Sequence, residues 1–518
     1  MANIDWPSQP GLSAAAQRAE ALAILDRALA IGLNALVLQV RPAGDALYAS
    51  TLEPWSEVLS GQQGRAPGHA GEAAYDPLAF WVTEAHRRGL ELHAWFNPYR
   101  ARHSSAKSPL AMPHLGLRQP TLVKRYGDML WMDPGEPAAA AHTLAVVADV
   151  ARRYDIDGVH IDDYFYPYPV PAANGTEQPF PDDDSYARHL LAGATVAAAQ
   201  APRASPGRDD WRRSNVDSLV RALYRTVHEI KPWLRVGISP FGIGRPDRRP
   251  PGVIGFSQYD KLYADVERWL HEGWLDYLAP QLYWPIDRAG QQFALLLDGW
   301  INENRAGRHL WPGLYTSQVQ RAWPAREVID QVVLQRSRSA VAAAAAAAAA
   351  APSQRAGFAV SAGTAVSAGS TVPIRTAATA ATALAALPVG VATGASGHIH
   401  FSMVALMQDR DGVATLLQLG PYAEPALVPA TPWLGAAAPP APQLRAMAGA
   451  RVQIVAATAG ADGAAARWAV WRRRGGRWRF AVLPGHERSV DAAGADALAV
   501  SAVDRLGNLS SHAIVQLP

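Results

Sequence analysis

The sequence predicts an α/β fold, a (β/α)8 barrel followed by a small all-β unit, on three observations. Helix-like runs alternate with short, nearly all-apolar stretches from Ser13 to Ser402, the pattern of a parallel sheet covered by helices. Near the middle stands Asp157-Gly158-Val159-His160-Ile161-Asp162-Asp163-Tyr164-Phe165-Tyr166-Pro167, a buried strand running into a loop dense in carboxylate and aromatic side chains. Beyond residue 442 the apolar pattern switches to a period of two.

Taken in order, Ser13 to Gly32 carries Leu22, Leu25 and Leu29 at helical spacing and stops at a glycine. Ala35 to Val40 is a buried strand, and Arg41 to Asp45 is the loop leaving it. The same step recurs as a helix from Asp76 to Gly89 and a strand from Leu90 to Asn97, where His93, Trp95 and Asn97 share a face. A helix over Ala138–Tyr154 leads into the Asp162 strand. Further pairs are Asp217–Ile230 with Leu234–Pro240, Tyr263–Gly273 with Leu275–Trp284, and Phe293–Glu303 with His309–Tyr315. Gly397 to Ser402 makes a seventh strand. The missing one belongs before Ser13, where only Met1 to Pro7 remain, so the first strand is expected to be truncated.

Residues 1–427 therefore form the barrel unit. Pro324 to Ser337 supplies the seventh helix, and residues 338–396, with the unbroken Ala342–Ala351 run, read as a low-complexity insertion with little to bury. Pro-rich residues 428–442 read as a linker. In residues 443–518, Arg451–Thr458, Arg467–Arg473, Arg477–Leu483 and Ala497–Asp504 alternate as half-buried strands, with Gly475-Gly476 as a hairpin turn, which predicts a small sandwich.

Composition narrows the function. A net charge of +3 with arginine spread along the chain argues against nucleic acid as a partner. The absence of cysteine excludes disulfides, thiolate metal sites and cysteine nucleophiles. No apolar run is long enough to cross a bilayer, and Asn3, Asp5 and Pro7 do not begin a signal peptide.

Side chains alternate across a strand, so His160 and Asp162 face the interior if Val159 and Ile161 face helices. Asp162 then stands at the carboxyl end, where barrel enzymes hold their chemistry. A simple helix cap is the competing role for Asp162 or Asp163, but Pro167 and Pro169 argue against a helix starting directly afterwards.

The segments NIDWPSQPGLS at Asn3, QVRPAGDALYAS at Gln39, LHAWFNPYRA at Leu92, DGVHIDDYFYPYP at Asp157, VGISPFGI at Val236, DYLAPQLYW at Asp276 and GHIHFS at Gly397 resemble the glycosyl hydrolase-like 10 family. The ending VSAVDRLGNLS at Val500 resembles that family's fibronectin type III-like module. The resemblance implies a TIM barrel with such a module behind it. It also implies a glycoside hydrolase acting on a bacterial cell-wall polysaccharide, in characterised relatives peptidoglycan glycan strands stripped of peptides. The partner is then a GlcNAc- and MurNAc-containing glycan. Such an enzyme is expected in the periplasm or cell envelope, with an in-frame strand and export signal upstream of Met1. If Met1 is the true start, the cytoplasm is expected instead.

Under that reading Asp162 is the principal catalytic carboxylate. Asp163, expected to point away or to sit in the mouth, positions its partner. Asp45 is a weaker candidate for a second acid. Gln39, Arg41, His93, Asn97, His160, Tyr164, Gln281, Tyr283, Tyr315 and His400 are candidates to bind hydroxyl or acetamido groups, with Trp95 and Trp284 to stack on sugar rings. No cofactor is expected, and His93, His160 and His400 lack the close spacing of a metal site. Similarity to chitinase-type barrels admits assistance by the substrate's acetamido group in place of a second carboxylate. The rival class is a catalytically inactive carbohydrate-binding barrel serving as an envelope adaptor.

Overall fold

The computed structural model describes residues 5–68, 71–73, 75–197, 207–350, 394–457 and 465–517. Most of the predicted insertion, and Met1 to Ile4 of the predicted first strand, lie outside the described residues.

Seven parallel strands follow one another in chain order among the described residues. Ala35–Arg41, Glu91–Phe96, Gly158–Ile161, Arg235–Ile238, Tyr277–Leu278 and His309–Leu310 form one sheet. The last strand resumes at Gly313–Leu314, beyond Pro312, and pairs there with Ile399–His400. Proline cannot donate to a ladder, which accounts for the interruption. Gly313 N–H to Pro280 O at 2.8 Å and Ile399 N–H to Pro312 O at 3.0 Å carry the sheet across it.

No strand stands between Ile399–His400 and Ala35–Arg41 among the described residues, so closure of the barrel is not seen there. Asp5 instead accepts the backbone N–H groups of Met403 and Val404, both at 3.0 Å. Trp6 is buried edge-on against Trp81, with its Nε1–H on Gln17 O at 2.9 Å.

The helices form where the apolar period is 3.6 and a cap is available. Ala14–Ala30 starts on the Ser13 hydroxyl and Pro77–Arg87 on the Asp76 carboxylate, each accepting an N–H of the first turn. Gly32 and Gly89, at φ +87° and +73°, turn these two helices back into strands, a conformation that costs other residues free energy. The helix predicted to begin at Asp217 begins at Arg208, and Asp183–Ala197 is a further helix after the Asp162 loop. A three-stranded antiparallel sheet, Arg100–Arg102, Val123–Tyr126 and Met129–Met132, covers the mouth side after Phe96; its strands are too short to read from period alone.

Register aligns the inward side chains. Gln39, Trp95, His160, Gly237 and Tyr277 are successive partners across five strands. Glycine at 237 is required by space, since a Cβ there would lie 1.8 Å from the Tyr277 ring. Gly158 gives way in the same manner to His93, at 2.6 Å. On the outer face Leu92, Phe96, Val159, Ile161, Val236 and Ile238 are buried in the core beneath the helices.

The C-terminal residues form two facing sheets, three-stranded (Gln443–Met447, Arg451–Val455, Ser489–Asp491) and four-stranded (Arg477–Pro484, Arg467–Arg474, Ala497–Val503, Ala513–Gln516). Val452, Ile454, Trp468, Val470, Leu498 and Val500 fill the space between them. This sandwich is fastened to the amino end of the parallel sheet. Arg467 donates to Gly89 O at 2.7 Å and Glu91 Oε1 at 3.2 Å, and Arg505 to Asp157 Oδ1 at 3.3 Å. Residues 428–442 are tied down too, through Thr431 to Arg235 and Trp433 Nε1 to Asp276.

Candidate active site

The strand Gly158–Ile161 delivers Asp162 and Asp163 to the carboxyl end of the sheet, into a cavity of about 740 Å³. Both side chains are buried. Trp95, on the neighbouring strand, donates Nε1–H to Asp162 Oδ2 at 3.0 Å, and the Tyr164 amide reaches Oδ1 at 3.4 Å. Asp163 accepts the Tyr168 hydroxyl and the Gln281 carboxamide. Of the two placements expected for Asp163, pointing away or sitting in the mouth, the structure has the second, because the strand ends at Ile161 and its alternation does not reach residue 163.

Burial pushes both carboxyl groups up, and for Asp162 the charge of its neighbour adds, taking it to about 8. Two like charges side by side hold a proton between them. Asp163 accepts the Tyr168 hydroxyl and the Gln281 carboxamide, contacts that favour its charged form, while the Asp163 charge is an added cause raising Asp162. Arg100 stands over the Tyr164 ring, 3.8 Å from its centroid, and its charge draws both carboxyls down.

Eleven of the expected site residues line this cavity together: Gln39, His93, Trp95, His160, Asp162, Asp163, Tyr164, Gln281, Tyr283, Tyr315 and His400. Tyr283 lies between Tyr315 and Phe401, at ring separations of 4.8 and 5.6 Å. His160 is held neutral, down to about 3, by burial and the charge of His93. Burial alone takes His400 to about 4; it meets Thr316 and Tyr422.

Four expected residues do not reach the cavity. Arg41 is spent in a fully buried ion pair with Glu53, with a second bond to Asn97 O at 2.7 Å. The Asn97 amide donates to Pro42 O at 2.7 Å and shapes the same loop. Asp45 accepts the Ala43 N–H at 3.0 Å in a separate small pocket beside Ser56, and burial raises it to about 6, so it stands apart from Asp162 as a second acid. Trp284 packs edge-on against Phe241 instead of facing the mouth.

Three site residues were missed from the sequence. Tyr168 was in the quoted aromatic run, and Arg100 closes the Asn97-Pro98-Tyr99 loop. Tyr277 was within reach of simple alternation, because residues 277, 279, 281 and 283 share one face. Its hydroxyl bridges His93 Nδ1 at 2.8 Å and His160 Nδ1 at 2.9 Å. Below it Glu91 meets His93, Arg235 and Arg467. Burial opposes charge on Glu91, but the two guanidinium groups outweigh it and hold the carboxyl down to about 2. His93, His160 and His400 are thus all hydrogen-bonded within the floor and wall of the cavity.

Among known proteins, a family model described as glycosyl hydrolase-like 10 matches residues 1–325. Glycosyl hydrolase YngK of Bacillus subtilis (strain 168) is 34% identical over 454 residues, which cover 85% of this chain and 74% of that protein. Glycosyl hydrolase DigH of Escherichia coli (strain K12) is 34% identical over 324 residues, 58% of this chain and 68% of that one. The glycoside hydrolase domain of PgaB (BpsB) from Bordetella bronchiseptica is alike at 13% identity and a TM-score of 0.44, covering 78% of this chain and 94% of that one, a likeness too loose to argue from.

Proposed function

The chain belongs to the glycosyl hydrolase-like 10 family, and from that premise we propose that it hydrolyses O-glycosidic bonds in peptide-free peptidoglycan glycan strands at the Asp162–Asp163 pair. The observation that carries the reading is two adjacent buried carboxyls with unequal partners in a cavity walled by aromatic rings. Such a pair supplies a protonated acid and a charged carboxylate at one pH.

Among the described residues, the other carboxyl groups lining the cavity are Asp5, committed to two backbone amides, and Glu424. That favours assistance by the substrate's acetamido group over a second protein nucleophile. Protonated Asp162 gives its proton to the glycosidic oxygen as the C1–O bond breaks. The acetamido oxygen of the same sugar closes on C1, and Asp163 accepts the acetamido N–H to hold it in line. Ionised Asp162 then takes a proton from water as that water attacks C1, which opens the ring and restores the acid. Neutral His160, Gln39 and the Tyr283 and Tyr315 hydroxyls suit sugar hydroxyl groups, and the rings of Trp95 and Tyr164 suit sugar faces. Export to the periplasm or cell envelope, where this polymer lies, goes with the same proposal.

The test is release of reducing ends from purified peptide-free strands. De-N-acetylated strands should bind yet resist cleavage, and a thiazoline mimic of the cyclised sugar should inhibit strongly. Undiminished cleavage of de-N-acetylated strands would remove the acetamido step. Binding with no cleavage of native strands would make the protein a glycan adaptor.

A further inference from the structure

We propose that the tip of the long sandwich hairpin is a second glycan-binding surface, selective for strands that carry carboxylates; its ligand rests on the substrate reading above. The run Trp471-Arg472-Arg473-Arg474-Gly475-Gly476-Arg477-Trp478-Arg479-Phe480 places five arginines and three aromatic rings in ten residues. Trp471 pairs across the hairpin with Phe480, and Arg473 with Trp478. Alternation puts these four on the face opposite the core residues Trp468 and Val470.

The rings lie together on one face of the hairpin. Trp471 and Phe480 are 5.0 Å apart, and the Arg473 guanidinium stands 5.5 Å from the Trp478 ring. All four side chains are half-buried, so each retains surface to offer. On the adjoining strand the partners of Trp471 and Arg473 are Ala499 and Ala497, too small to rise over them, while His512 meets the Trp471 ring edge-on at 4.8 Å and Asp496 pairs with Arg473. Among the described residues, no hydrogen bond or ion pair joins residues 471–480 to residues 5–427. The hairpin touches the barrel at Arg467 and beside Pro484, and its tip is seven residues further on, ~24 Å at the rise of a strand.

Charge selects the occupant. Residues 443–518 hold ten arginines against five acidic residues, whereas the rest of the chain has a slight acidic excess. Arg477 and Arg479 are exposed, flanking Trp478. Flat aromatic faces stack on sugar rings, and guanidinium groups pair with carboxylates in a planar fork. A polymer presenting both is a strand whose MurNAc units carry a free lactyl carboxylate once the peptide is gone. Held at the tip, the polymer reaches the mouth at the other end of the barrel at raised effective concentration, without contributing to bond cleavage.

The experiment uses the full chain carrying Asp162→Asn, so that bound strands stay intact, and fluorescently labelled peptide-free strands. Trp478→Ala and the double variant Arg477→Ala/Arg479→Ala should each weaken binding by about tenfold. The arginine variant should also lose most of the dependence on ionic strength, because exposed charges are screened by salt. Strands with amidated carboxyls should bind the parent as weakly as native strands bind the arginine variant. In the otherwise wild-type, active protein, both changes should leave turnover of short soluble fragments within about twofold, since single surface contacts far from the chemistry contribute little to it. Superimposable thermal unfolding curves separate lost binding from lost folding, and the exposed arginine pair is the safer probe. Unchanged affinity in both variants, equal affinity for amidated strands, or capture of anionic lipid vesicles in place of glycan would overturn the proposal. If wild type binds strands but does not cleave them, the catalytic reading fails and this one stands.

Discussion

Replacing Asp162 with asparagine should make the protein more stable while removing its activity. The usual value for this carboxyl is 3.8, and in the fold burial and the Asp163 charge raise it to about 8. Between those values the folded state binds a proton that the unfolded state has released, so stability falls as pH rises from 3.8 toward 8. At pH 7 the difference is about 3 units, or ~4 kcal/mol as an upper bound, at 1.36 kcal/mol per unit. Asparagine has no proton to lose and can still accept the Trp95 N–H. A net gain of ~1–3 kcal/mol at pH 7, shrinking toward zero near pH 4, is expected in urea unfolding. Reducing-end release should drop ~10²- to 10⁴-fold, the share of one general acid. A supporting residue behaves in the opposite way, because losing it costs stability along with activity. An Asp162→Asn variant that turns over near the wild-type rate, or one less stable than wild type at pH 7, would refute the reasoning.

Wild-type activity should decline as pH passes above about 8, where Asp162 loses its proton, and a pH–rate profile reads this directly. Arg100 lowers both carboxyls, so Arg100→Met should move that alkaline limb upward while reducing the rate; a limb that stays in place would remove Arg100 from the site's electrostatics. Arg467→Ala breaks a buried pair with Glu91 and a bond to Gly89 O, and should cost ~3–5 kcal/mol in chemical unfolding, whereas a surface arginine would cost under about 1. The Glu91 carboxyl is depressed from 4.5 to about 2, so its contribution is full above 4.5 and is lost as pH falls through 2; acid unfolding of Arg467→Ala should therefore begin at a higher pH. Gly237→Ala drives a methyl group into the Tyr277 ring, and should lower both yield and melting temperature, while Gly476→Ala at the open hairpin meets no atom and loses only its turn preference.

Local periodicity was enough to locate the seven parallel strands and to place Asp162 at the carboxyl end of one of them. His160 faces the cavity by the period of its strand, and Asp162, one residue past the end of that strand, lines the same cavity. Hairpin chemistry was equally legible: Gly475 and Gly476 adopt φ +55° and +78°, the left-handed pair that a two-residue turn requires. The partners of side chains were not legible in this way. Arg41 ends one strand and Arg100 stands four residues past the end of the next, yet Arg41 is consumed by Glu53 and Arg100 stands over Tyr164 beside the reactive pair. Which arginine meets which carboxylate depends on where the loops return. Tyr277 bridges His93 and His160 only because Gly237 leaves room and the register sets three strands side by side. The elevation of Asp162 likewise arises from burial by residues distant in the chain. Sequence determined the direction of each side chain along its own strand, because that is a property of neighbouring bonds. Tertiary structure decided contact, burial and charge state, because these depend on groups brought together through space.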